Sequence, residues 1–99
     1  MSTQSNPMLD VLNDLDATTD ILLAALSNSD EDKAYEAISV LLLQGIETIG
    51  KDHPVMQQCF PVWDAIRNHI ESLDLERAHS QTVTWKRQLG EVIEIVQNG

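Results

Sequence analysis

The chain is 99 residues long, 42% apolar, and carries a formal charge of −10. A chain of this size makes one domain with a core of its own, and its apolar fraction excludes wholesale disorder. The charge is concentrated in the first 32 residues, where Asp10, Asp14, Asp16, Asp20, Asp30, Glu31 and Asp32 meet no base; such a field repels phosphate backbones, argues against nucleic acid as a partner and attracts basic protein surfaces.

The first helix is predicted to open at Asn6-Pro7, with Asn6 as cap and Pro7 in the first turn, where its missing N–H is harmless. Residues 1–6 precede it as a flexible lead. Met8, Val11, Leu12, Leu15, Leu22, Leu23 and Leu26 fall on one arc at helical spacing. Ser27-Asn28-Ser29 reads as a turn. The second helix starts at Ser29 or Asp30, with three acids in a first turn whose dipole favours them. Ala34, Tyr35, Ile38, Leu41, Leu42, Ile46 and Ile49 form a wide apolar face, and Gly50 is a natural stop. Gly45 lies mid-helix on that face. It costs about 1 kcal/mol against alanine there, which predicts the close approach of a neighbouring helix.

The third helix opens around Asp52-His53-Pro54. Its apolar positions are Val55, Met56, Cys59, Phe60, Trp63, Ile66, Ile70 and Leu73, and the period runs unbroken through Pro61. Pro61 sits opposite the apolar arc, so one kinked helix is expected, with a break into two pieces as the alternative. The fourth helix runs from near Asp74 to about Gln97. Leu75, Ala78, Thr82, Trp85, Leu89, Val92 and Val96 keep strict 3-4 spacing. Such a narrow stripe serves equally as a seam inside a bundle or as a homodimer seam. Period-two alternation is absent. The expected architecture is all-α: a small antiparallel bundle of about four helices forming a single domain over 1–99, closed by itself or completed by dimerisation.

Four aromatic residues, Tyr35, Phe60, Trp63 and Trp85, leave the core mainly to Leu, Ile, Val and Ala. The lone Cys59 excludes an internal disulfide and fits a reducing compartment. No signal peptide is visible, and the longest apolar run, Val40-Leu41-Leu42-Leu43, is too short to span a bilayer. A cytoplasmic protein with no membrane contact is expected.

Signatures of chemistry are missing. Glu76 and His79 have the spacing of a di-iron ligand pair, but such a site needs a second pair and further carboxylates on facing helices. Cys59 lies on an apolar arc, where a cysteine is usually inert packing. A calcium loop counted from Asn28 would need glycine at Lys33 and an acid at Ser39. Histidine phosphotransfer domains resemble the chain in size, acidity and helix count. Their active histidine is followed by a base and a glycine, however, and neither His53, His69 nor His79 is. No enzyme, metal or cofactor is expected.

The informative residues are apolar ones off the pattern. Val40 and Leu43 fall outside the core arc of the second helix, beside Glu36 and Glu47; Val83 and Ile95 fall outside the stripe of the fourth; Ile21 sits among Asp10, Asp14 and Ala17. The second helix is thus apolar almost all round, so it is either the central helix of the bundle or is covered by a partner chain. The expected function is a non-enzymatic regulator that binds another protein with a basic or apolar surface through Val40, Leu43, Glu36 and Glu47, itself a homodimer. In type, though in no residue, the chain resembles small acidic helical regulators of bacteria and phages: anti-activators, inhibitors and secretion chaperones. The alternatives are an acidic decoy of nucleic acid, which Asp10, Asp14, Asp16 and Asp20 fit in part, and a phosphotransfer protein.

Overall fold

Each periodic segment folds as one α-helix in the computed structural model, which describes residues 7–98: α1 Pro7–Ser27, α2 Glu31–Thr48, α3 Pro54–Glu71 and α4 Leu75–Asn98. The lead over 1–6 and the cap at Asn6 lie outside the described residues. Asp30 Oδ1 accepts the Lys33 N–H at 3.2 Å and Asp74 Oδ1 the Arg77 N–H at 3.2 Å. His53 Nδ1 does the same for the Val55 N–H at 3.1 Å. Each pairs an amide of the first turn that has no partner inside the helix. The chain leaves α1, α2 and α3 through residues with positive φ: Ser29 at 54°, Gly50 at 95° and Leu73 at 60°. Around Ser29 the Asp30 N–H reaches the Ala25 carbonyl at 2.9 Å, and around Leu73 the Asp74 N–H reaches the His69 carbonyl at 2.8 Å. These bonds close the helix ends. Pro61 does not break α3, because it faces solvent and the helix continues past it.

The helices form a ring. α1 packs on α2 and α4, and α3 packs on the same two; the short connections make chain neighbours antiparallel. The bundle measures 49 × 27 × 18 Å. Its core centres on Trp63, which is fully buried and meets Trp85 edge-to-face, with ring centroids 5.2 Å apart and planes at 88°. Trp85 Nε1 donates to Thr19 Oγ1 at 3.1 Å, and Thr19 Oγ1 donates to the Leu15 carbonyl at 2.7 Å. That relay ties α4 to α1 with every member paired. Gly45 is the close approach its position predicts: a Cβ there would lie 2.5 Å from Trp63 Cζ3.

Several core assignments need correction, and the ring is the reason. α2 is not central, since α1 and α3 are its packing neighbours. A helix at the corner of a ring buries one arc, here centred on Ala34, Ile38, Leu41 and Gly45, and leaves the arc's edges open. Tyr35 and Ile46 are therefore exposed, as are Met8, Val55 and Phe60. Leu73 lies beyond the end of α3, where its left-handed backbone turns it outward.

Lys86 spans the α1–α4 boundary, its Nζ 2.7 Å from Asp16 and 2.8 Å from Asp20. The hydrogen bonds to Asp16 and Asp20 push its pKa above the usual lysine value, helped by their negative charge and opposed by burial. A raised folded-state value means the contribution is complete below the unfolded lysine pKa and is lost as pH climbs through the folded one. Lys86→Met is thus expected to cost about 1 kcal/mol or less at pH 7, given the partial exposure of the pair. The difference from the native chain should vanish in denaturant melts run at strongly alkaline pH.

Candidate functional site

α2 presents one face to the core and the other to solvent. Residues 36, 40, 43 and 47 follow 4-3-4 spacing and so share a stripe on a helix of 3.6 residues per turn. All four are exposed, Val40 at 41% and Leu43 at 56%. The stripe is apolar in the middle and acidic at both ends. Leu43 stands clear of the neighbouring helices, and Val40, at the edge of the stripe toward α1, is only partly covered by them.

The apolar surface is wider than this stripe. Val40 and Ile21 of α1 line one shallow groove with Ala37, edged by Lys33 and Glu36. On the other flank Ile46 and Phe60 of α3 line a second groove, floored by Met56 and edged by Lys51 and Asp52. Ile21 is 60% exposed, Ile46 41% and Phe60 42%. Five apolar side chains from three helices thus surround the outer face of α2. Sequence reasoning placed Ile46 and Phe60 in the core. The available signal was their position at the edge of an arc too wide for a helix with two neighbours.

The acids of α1 and α2 divide into two groups. Asp16 and Asp20 turn toward α4 and are held by Lys86. Asp10 and Asp14 on α1, Glu31, Asp32, Glu36 and Glu47 on α2, remain exposed around the apolar residues. The seven stripe residues of α4 behave differently from the α2 stripe, and Thr82 among them is fully buried. Ala78, Trp85 and Leu89 are buried, Leu75 and Val96 are half-buried and pack against the core, and Val92 is exposed. The stripe is therefore used inside the bundle over its middle and opens toward the end of α4.

The histidines do not converge. His53 Nδ1 is engaged as a helix cap, and the His79 ring lies 3.4 Å from Ser27 Oγ. No three His, Cys, Asp or Glu among the described residues are grouped to hold a metal ion. Burial pushes the Cys59 thiol up, away from the reactive thiolate. No described helix is long and apolar enough to cross a membrane. No family model, curated protein or solved structure matches the chain.

Proposed function

We propose that the protein is a non-enzymatic regulator, cytoplasmic in setting, that works by occupying a surface of another protein with the outer face of α2. The observation that supports this is the exposure of Val40 and Leu43 between Glu36 and Glu47. An apolar centre surrounded by charge is the layout of an interface in which burial supplies affinity and the rim supplies steering. The rim is acidic, so the matching partner carries a basic, amphipathic element, and a helix laid along the α2 flanks is the simplest that fits. The decoy reading has less support, because Lys86 neutralises two of the four acids it relies on.

The probe is a short fluorescent Leu/Lys amphipathic helix, read by anisotropy beside a scrambled peptide of equal charge. The ordered peptide is expected to bind more tightly, and its association to slow as salt shortens the screening length below the roughly 8 Å of physiological ionic strength. Equal binding of the scrambled peptide would leave charge alone and remove the apolar centre. Capture from the native host then identifies the partner: a transcription factor fits the regulator, a nuclease the decoy, a kinase the phosphotransfer protein.

A further inference from the structure

We propose that the groove between α3 and α4 is a self-association face, occupied by a second copy of this chain. Residues 54–63 on α3 and 78–85 on α4 contain no Asp, Glu, Lys or Arg. The two elements bound a groove in two stretches, of about 510 and 470 Å³, which share Val62, Trp85 and Gln88; the second reaches inward to Leu12 and Leu15 of α1 and to Ile49. Every residue along both stretches is uncharged. By contrast, the grooves on the two flanks of α2 are edged by Lys33 and Glu36 and by Lys51 and Asp52.

Charge decides the occupant. A twofold interface sets the same patch of each chain against itself. For a chain of net charge −10, the α1–α2 side would match acid with acid, and like charges juxtaposed in an interface are strongly unfavourable. The α3–α4 side avoids this. Its rim is Gln58, Gln81, Thr84 and Gln88, and carboxamides and hydroxyls both donate and accept, so each can pair with its own copy. Its floor is apolar, with Val55 and Val92 exposed at one end. The lining itself offers a basic partner no acid; of the acids beside it, Asp64 is already paired with Arg67, and Glu91 stands one turn beyond Gln88. The footprint is of the right order: α3 is about 27 Å long and two helix diameters are about 20 Å, against about 800 Å² buried per partner in a stable interface. α2 lies across the ring from α4, so a dimer formed this way leaves Val40 and Leu43 of both copies open, although Pro61 lines both this groove and the one on the α3 flank of α2. The inference stands independently of what Val40 and Leu43 bind.

Light scattering coupled to size exclusion, from micromolar to hundreds of micromolar chain, tests it. The native protein is expected to reach twice its 11.1 kDa mass, and dimerisation should strengthen with added salt as repulsion between the copies is screened. Gln88→Glu and Thr84→Glu, both at exposed positions, should keep the native helical spectrum and weaken the dimer by about tenfold or more, since each sets two new acids across the twofold. Leu43→Glu should leave the dimer unchanged. A native chain that stays monomeric throughout, a dimer that salt dissociates, or one broken by Leu43→Glu but not by either groove variant would overturn the proposal.

Discussion

Gly45→Ala is expected to lower the melting temperature by about 5–15 °C, from about 2–3 kcal/mol of overpacking less about 1 kcal/mol of helix propensity, at 4–8 °C per kcal/mol for a domain of this size. Helix propensity alone predicts the opposite sign, a gain of about 1 kcal/mol. The clash decides. A methyl at position 45 would sit 2.5 Å from Trp63 Cζ3 and 2.9 Å from Met56 Sδ. Methionine can swing aside. Trp63 cannot, because it is fully buried and locked edge-to-face on Trp85, which is itself fastened to Thr19. The strain therefore has to move α2 away from α3. Gly90→Ala is the internal control: a Cβ there meets nothing within 4 Å, so only the propensity gain remains and the variant should melt slightly above the native chain. Thermal melts of the two variants should move in opposite directions; a Gly45→Ala chain as stable as the native one would show that α2 and α3 pack less closely than described.

That contrast also shows what the sequence could disclose. Gly45 announced a close approach because a glycine on an apolar helical face is costly without one. Gly50 and Asp30 announced helix ends through their local backbone chemistry, which needs no knowledge of the fold. Tyr35, Ile46, Val55 and Phe60 were misplaced for the converse reason. Whether a residue at the edge of an apolar arc is covered depends on how many neighbours the helix has, and that is settled only when the ring closes. Lys86 pairs with Asp16 and Asp20, about seventy positions away; nothing local marks such a pairing. The candidate site was half legible on the same terms. Val40 and Leu43 stood out by breaking a helical period, whereas Ile46 and Phe60 obeyed one.

Two leucines on α2, two positions apart, are expected to respond oppositely to the same substitution. Leu41 is fully buried. A carboxylate in its place would have no partner, which costs several kcal/mol and should unfold the protein or lower its melting temperature by about 20 °C or more. Leu43 is 56% exposed. Leu43→Glu loses little packing and adds one like-charge neighbour, Glu47, at i+4, a penalty of about 0.2–0.5 kcal/mol; its melting temperature should fall by about 2–4 °C at most. Binding should move the other way. The new acid attracts a basic amphipathic peptide more strongly than leucine does, so charge alone predicts tighter binding. If Leu43 is the apolar centre of the face, its loss outweighs that attraction, since truncating a central anchor costs about 2 kcal/mol or more, and affinity should fall by at least tenfold. The sign of the change separates the two contributions in one titration. A folded Leu43→Glu chain that holds the peptide as tightly as the native one would assign the affinity to the acidic rim and take the apolar centre of the α2 face out of the interface.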